Sequence, residues 1–283
     1  MAVPYASGSL DDGRLTALAR GLRRDVIDTL WHAQAGHPGG SLSAVEILAA
    51  LFFLVMRVDP ADPRWERRDR FVLSKGHAST AYYVTLSRRG FFPAEVLPTY
   101  DEIDSCLQAH PDCHTPGVDM PSGSLGQGLS AGLGMALGLR LKGYDSRAFV
   151  LLGDGECQEG QIWEAAMAAP KFRLGNLTAI VDVNKVQLTG HTADVMPIEP
   201  LADKWRAFNW NVVEVDGHSI PAIAAACERA AALPETPTAI LAHTVKGKGV
   251  SFMEDTHTWH SAVVTDEVRR KALAELDAAE VAG

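Results

Sequence analysis

The stretch Gly153-Asp154-Gly155-Glu156-Cys157-Gln158-Glu159-Gly160 follows an almost unbroken apolar run, residues 147–152. Such a run ending in Gly-Asp-Gly is typical of a buried parallel strand that enters a tight turn. From Gln161 the apolar residues follow helical spacing, and a second apolar run, 177–183, ends at Asn184. This order predicts a right-handed crossover that places Asp154 and Asn184 at the carboxyl ends of neighbouring parallel strands, the edge where open α/β sheets bind ligands.

Asp154 and Asn184 offer the ligands that hard divalent cations prefer. A carboxylate and an amide oxygen suit Mg²⁺ or Ca²⁺ better than a soft metal, and the backbone carbonyl of Val186 is a candidate third oxygen. The glycines allow backbone N–H groups to approach an anion, and the following helix adds its positive end. Gly-Asp-Gly alone is also compatible with an ordinary turn, but the spaced Asn favours a metal-bridged diphosphate.

Gly-Asp-Gly followed about thirty residues later by Asn resembles the thiamine diphosphate fingerprint. The longer run 153–160, with Trp163-Glu164-Ala165, is similar to transketolase in particular, and the resemblance extends from about Arg23 to Glu267. It implies an α/β fold, with an open, mostly parallel sheet and helices on both faces, as one diphosphate-binding (PP) domain over residues 1–283. The pyrimidine-binding and C-terminal domains are expected on a partner chain, which makes this chain the N-terminal subunit of a split enzyme.

The same resemblance implies roles for individual residues. His37 and His110 face the substrate, His260 touches diphosphate and substrate, and Glu159 and Glu164 match carboxylates of an interface proton network. The implied cofactor-binding residues are His77, Gly123, Ser124, Leu125, Gly155, Glu156, Asn184, Leu188 and His260, and the implied metal ligands are Asp154, Asn184 and Val186. Ser261 stands after His260, where the family commonly has Gly.

The activity that the resemblance implies is transfer of a two-carbon ketol unit from a ketose or ketose phosphate to an aldose. The cofactors would be thiamine diphosphate and Mg²⁺ or Ca²⁺. In this family a Glu of the pyrimidine-binding half activates the cofactor, so the chain alone is expected to be inactive and to form an α₂β₂ heterotetramer with a C-terminal transketolase subunit. Two alternatives are the α-subunit of a 2-oxo acid dehydrogenase, which also carries Gly-Asp-Gly…Asn, and a non-catalytic regulatory paralogue.

A zinc site is a further alternative, on a long loop rich in glycine, proline and histidine. Cys106, His110, Cys113 and His114 lie within nine residues of one another. Structural zinc sites use paired ligands separated by longer spacers. The spacing therefore disfavours zinc.

Composition excludes several classes of partner. The net charge of −9 arises from 35 acidic against 26 basic residues without a long block of either sign, which argues against nucleic acid or an anionic membrane surface. No stretch approaches the roughly 20 apolar residues of a membrane span. Residues 1–13 lack the features of a signal peptide and are expected to form a loosely held arm. Four cysteines without framework spacing suit a reducing compartment, so a cytoplasmic location is expected.

Overall fold

The computed structural model describes residues 11–281, without the side chains of residues 12 and 279–281. Within that range five strands form one sheet: β1 (Arg70–Leu73), β2 (Ala148–Gly153), β3 (Leu177–Val183), β4 (Asn211–Asp216) and β5 (Thr238–His243). All pairs are parallel, in the order β1-β2-β3-β5-β4. The prediction of an α/β fold with an open parallel sheet is confirmed.

The α-helices of the described range are α1 (Asp12–Ala33), α2 (Pro38–Ser43), α3 (Val45–Ala50), α4 (Ser79–Arg89), α5 (Gln127–Leu141), α6 (Gly160–Lys171), α7 (Thr192–Val195), α8 (Leu201–Ala207), α9 (Ile220–Ala231) and α10 (Asp266–Val281). Most of the arm expected over residues 1–13 lies outside the described residues. α1 begins at Asp12, where the Asp11 carboxylate accepts a hydrogen bond from the Arg14 N–H at 2.9 Å. An Asp at this position satisfies one of the free N–H groups of the first turn.

The central strands of the sheet are apolar at nearly every position rather than at alternate ones. Both faces of the sheet are therefore apolar, and both are covered by helices. β2 and β3 are buried along their whole length. Side chains alternate between the faces, so Phe149 and Leu151 join a core formed with α1, α3, α4 and α9. Val150 and Leu152 join a second core formed with α5, α6 and α8. The expected layers of helices on both faces are therefore present.

The carboxyl edge of the sheet brings the two expected ligand positions together. β2 and β3 are hydrogen-bonded neighbours, with Gly153 opposite Asp182. Asp154 and Asn184 each follow directly after these strands. The predicted adjacency is confirmed. Among the helices of residues 11–281, none is long and apolar enough to cross a membrane.

Gly132 on α5 provides a test of this packing, with Gly138 on the same helix as its control. A Cβ at Gly132 would lie 2.2 Å from Val150 Cγ2 on β2, whereas a Cβ at Gly138 would meet no described atom within 4 Å. We expect Gly132→Ala to lower the free energy of unfolding by about 1–3 kcal/mol through overpacking. Gly138→Ala should raise it by roughly 0.5–1 kcal/mol, the gain in helix propensity. Denaturant unfolding of both variants measures the difference, and equal effects would contradict the packing described.

Candidate functional site

The two expected cation ligands are held by backbone N–H groups of the turns after β2 and β3. The Asp154 carboxylate accepts hydrogen bonds from the N–H groups of Gly155 at 2.7 Å and Lys185 at 2.6 Å. The Asn184 Oδ1 atom accepts one from the Val186 N–H at 3.1 Å. These bonds fix both side chains at the carboxyl edge, beside the Val186 carbonyl.

The charge of Asp154 is poorly compensated by the protein. Burial, followed by the nearby charge of Asp182, raises the pKa of Asp154 to about 6. A divalent cation would favour the ionised form of such a carboxyl. One carboxylate, one amide oxygen and one carbonyl oxygen form a hard donor set, which leaves further positions for phosphate and water. These residues fit a Mg²⁺ or Ca²⁺ ion shared with a diphosphate.

Four histidines from separate segments meet above this edge. His37 precedes α2, His77 lies in the turn after β1, His110 lies in the loop before α5, and His260 lies before α10. The ring of His37 lies 5.7 Å from that of His77, 6.0 Å from that of His110 and 5.7 Å from that of His260. The structure therefore brings together all four histidines identified from the sequence.

A glycine is required for this approach. A Cβ at Gly40 would lie 2.9 Å from the His77 ring. The Gly-His-Pro-Gly-Gly segment at residues 36–40 can therefore pack directly on the turn after β1, which places His37 next to His77.

Three of the imidazoles are neutral near pH 7 because of their surroundings. Burial, followed by the nearby His110, lowers the pKa of His37 to about 4. Burial, followed by the Lys246 ammonium, lowers the pKa of His260 to about 3. Burial also holds the pKa of His77 well below its usual value, and the Lys75 ammonium adds to the effect. A neutral imidazole can both donate and accept a hydrogen bond, and the buried Nδ1 of His37 has no partner among the described residues.

Lys246 links one expected cation ligand, the Val186 carbonyl, to one of the histidines, His260. Its Nζ donates to the Val186 carbonyl at 2.8 Å and to Nδ1 of His260 at 2.8 Å. Since Nδ1 accepts this bond, the imidazole proton of His260 lies on Nε2. Burial, followed by the Lys75 charge, lowers the pKa of Lys246 to about 8.

Lys75 and Asp182 form a buried ion pair beneath the cleft, with side-chain exposures of 1% and 0%. Lys75 also donates to the Gly40 carbonyl at 3.2 Å. The Asp182 carboxylate accepts further hydrogen bonds from the hydroxyls of Ser43, at 2.6 Å, and Thr244. Desolvation alone would raise the pKa of Asp182, but the Lys75 charge and these donors hold it below its usual value.

Glu156 connects three turns of the site. Its carboxylate accepts hydrogen bonds from the Ser74 hydroxyl and from the N–H groups of Gly126, at 2.9 Å, and Gly153, at 3.0 Å. The residue is 3% exposed, so its oxygens are engaged by the protein rather than turned to the cleft.

The sequence-predicted residues line one cleft of about 410 Å³ with two exceptions. The cleft is lined by His37, His77, His110, Gly123, Leu125, Asp154, Gly155, Glu156, Glu159, Asn184, Val186, Leu188 and His260, together with Lys75, Gly153, Gln158, Gln187 and Lys246. Glu164 and Ser124 are exposed and do not line it. Leu125 and Leu188 are exposed apolar side chains in its lining.

The alternative zinc cluster is not assembled. Among residues 11–281, no group of three or more His, Cys, Asp or Glu side chains is arranged to hold a metal ion. His110 instead faces His37, and His114 pairs with Asp112 at the surface.

Sequence reasoning assigned no role to three residues of the site. Lys75 and Lys246 each follow soon after a strand, at the same edge as the Gly-Asp-Gly turn, and an Asp interrupts the apolar run of β3 at position 182. A charged side chain in a run that is otherwise buried needs a partner. This need for a partner is the feature of the sequence that indicates a structural role for Asp182 and for one of the lysines.

Comparison with known proteins identifies the family. Residues 15–276 match the family described as "Transketolase, thiamine diphosphate binding domain". The chain is 46% identical over 257 residues to the SqwG subunit of the 6-deoxy-6-sulfo-D-fructose transketolase of Clostridium sp. (strain MSTE9), covering 90% of this chain and 94% of that relative. It is 43% identical over 254 residues to one subunit of the apulose-4-phosphate transketolase of Phocaeicola vulgatus, covering 90% of each.

A solved structure gives the same result. The transketolase of Pichia stipitis, in complex with sedoheptulose-7-phosphate, superposes with a TM-score of 0.89 at 32% sequence identity. The match covers 93% of this chain but only 40% of that one. The chain therefore belongs to the transketolase family. Within the family it corresponds to the N-terminal, thiamine diphosphate-binding domain, and these relatives do not favour a 2-oxo acid dehydrogenase subunit or a non-catalytic paralogue.

Glu156 offers a test of how the site is held together. Glu156→Gln replaces one acceptor oxygen by an NH₂ group that faces a donor, so one buried donor loses its partner. We expect the free energy of unfolding to fall by about 1–3 kcal/mol. The exposed Glu228→Gln on α9 is the matched control and should stay within about 0.5 kcal/mol. Equal stability of the two variants in thermal and denaturant unfolding would contradict the assigned bonds.

Proposed function

We propose that the chain is the N-terminal subunit of a split transketolase, which transfers a two-carbon ketol unit from a ketose or ketose phosphate to an aldose. The observation that carries this proposal is the gathering of four histidines, two buried lysines and the Asp154–Asn184 pair in one cleft. The relatives described as transketolase subunits support the split arrangement.

Mg²⁺ is the proposed resident cation, with Ca²⁺ as a substitute. Asp154, Asn184 and the Val186 carbonyl would hold it. The Val186 carbonyl already accepts a hydrogen bond from Lys246, but a carbonyl oxygen has two lone pairs and can take a second partner. A few protein oxygens together with phosphate and water are the usual surroundings of Mg²⁺ in phosphate sites.

The diphosphate is the proposed partner of the cationic side of the cleft. Lys75 and Lys246 bring two buried ammonium groups to the edge where Gly155 begins its turn. His77 and His260 add neutral N–H donors. Anion sites of this kind combine fixed positive charge with N–H donors in an environment that excludes water. The diphosphate of the cofactor is an anion that can interact with both kinds of group.

The substrate side of the cleft would be formed by His37 and His110. When bound, thiamine diphosphate supplies a nucleophilic carbon that accepts the two-carbon unit. The neutral imidazole of His37 can donate to or accept from a substrate hydroxyl or carbonyl without a large change in local charge. The His37 residue lines the cleft, where a substrate would lie.

Glu159 and Glu164 are the proposed contribution to the proton network at the partner interface. Both side chains are exposed in this chain, and Glu159 lines the mouth of the cleft. We propose that a C-terminal transketolase subunit covers them and that two copies of each chain form an α₂β₂ heterotetramer. All four cysteines are free, which supports the proposed cytoplasmic location.

Cofactor binding tests the proposed cation site. In the complex with the partner chain, Asp154→Asn removes the one charged ligand and should weaken thiamine diphosphate binding at least about 10-fold. EDTA, which removes divalent cations, should also weaken thiamine diphosphate binding by the unchanged protein. Asp216→Asn, at the same sheet edge on β4, is the control and should bind normally. Isothermal titration with thiamine diphosphate and MgCl₂ measures these affinities. Binding that resists both EDTA and Asp154→Asn would refute the site.

Activity tests the proposed split. The partner is obtained by affinity capture of this chain from its native cells, and both chains are then purified separately. We expect two-carbon transfer from a ketose phosphate in the mixture and none from the isolated chain, because the activating carboxylate belongs to the other half. Native mass measurement of the mixture tests the α₂β₂ stoichiometry. Turnover by the rigorously purified single chain would overturn the proposal.

A further inference from the structure

The amide of Asn184 is oriented by a neighbour two residues earlier in the chain. Asn184 Nδ2 donates to Oδ2 of Asp182 at 3.1 Å, and the bond is buried. The two ends of a side-chain amide have nearly the same shape, and only their partners distinguish the oxygen from the nitrogen. With Asp182 accepting from Nδ2, the oxygen of Asn184 is directed to the Val186 N–H.

Asp182 cannot turn away from this contact. Its Oδ1 atom accepts from the Thr244 hydroxyl, and its Oδ2 atom accepts from Ser43, Lys75 and Asn184. These donors include groups from α2, from the turn after β1 and from the segment after β5. The carboxylate is therefore fixed from several sides, and in every one of these contacts it accepts the hydrogen bond.

We propose that Asp182 is a positioning residue of the cation site, which directs the Asn184 oxygen towards the cation and makes an amide, rather than a carboxylate, necessary at position 184. A carboxylate there would either place two like charges about as close as the present hydrogen bond or have to take up a proton, and both outcomes cost free energy that the amide avoids. The inference rests on the proposed function, in which Asn184 is a cation ligand.

Asp182 also has a role in stability, and the experiment has to distinguish that role from the positioning of Asn184. The carboxylate also neutralises Lys75, and loss of that pair would destabilise the fold without any effect on Asn184. Exchange of the two residues distinguishes the roles, because Asp182→Asn combined with Asn184→Asp keeps the total charge and restores a donor–acceptor pair between the positions.

The experiment uses the complex with the partner chain and measures thiamine diphosphate binding over a series of MgCl₂ concentrations. We expect Asn184→Asp to raise the Mg²⁺ concentration for half-maximal binding by about 10–100-fold, the range for loss of an outer partner. The double variant should recover at least about 10-fold of that loss, as expected for coupled residues in contact. Asp119→Asn is the control. Asp119 is a buried carboxylate paired with Arg68 away from the cleft, and its loss should lower stability without changing the Mg²⁺ requirement.

A second measurement decides the matter if the double variant does not fold. Without Mg²⁺ or cofactor, Asn184→Asp should lower the unfolding temperature more than Asn184→Ser, which adds no charge beside Asp182. The proposal is overturned if Asn184→Asp lowers the unfolding temperature by the same amount as Asn184→Ser or by less. It is also overturned if Asn184→Asp shows the normal Mg²⁺ dependence of cofactor binding, or if the defect of the double variant is the sum of the two single defects. The absence of Mg²⁺-dependent cofactor binding in the unchanged protein would instead refute the proposed function.

Discussion

The buried ion pair between Lys75 and Asp182 is the interaction on which the site depends. Either charge alone, removed from water, would cost several kcal/mol. Together they are compensated, and the hydroxyls of Ser43 and Thr244 satisfy further lone pairs of the carboxylate. Because Ser43 lies 139 residues before Asp182 along the chain, the pair and its hydroxyl partners hold α2 and the strand ends together at one edge. The proposed cation ligands and the histidines lie at that edge.

Charge in the cleft is balanced within the protein only in part. Burial, with Asp182 nearby, raises the pKa of Asp154 to about 6, and burial, with Lys75 nearby, lowers the pKa of Lys246 to about 8. Each of these groups would be stabilised in its charged form by an opposite charge close to it. A divalent cation would supply that charge to Asp154, and a diphosphate would supply it to Lys246. A ligand that carries both would therefore relieve two opposite penalties at once, whereas phosphate or metal alone would relieve one.

The sequence was sufficient for the sheet and for its ligand-binding edge. The runs at 147–152 and 177–183 are apolar at nearly every position, which defines buried parallel strands, and their neighbouring positions follow from the crossover rule. The four histidines were assigned by resemblance, since their spacing along the chain does not show that they meet. The network of Asp182 was not predictable in this way, because Ser43 and Thr244 become its partners only after folding. The same holds for the contacts of Glu156: the residue lines the cleft, as expected for a cofactor-binding residue, and its carboxylate also holds three turns together.

The proposed division of the site between two chains separates buried charged groups from exposed ones. Groups that are expensive to bury, namely Lys75, Lys246, Asp154 and Asp182, are all provided by one chain, and each has hydrogen-bond partners within its own fold. Glu159 and Glu164, in contrast, are solvated at its surface. Desolvation of these four groups is therefore completed during folding, whereas Glu159 and Glu164 remain to be covered on association. In the separate chain, each of these four buried charged groups therefore keeps a hydrogen-bond partner. Under this condition a chain of a two-chain enzyme can remain folded before the enzyme assembles.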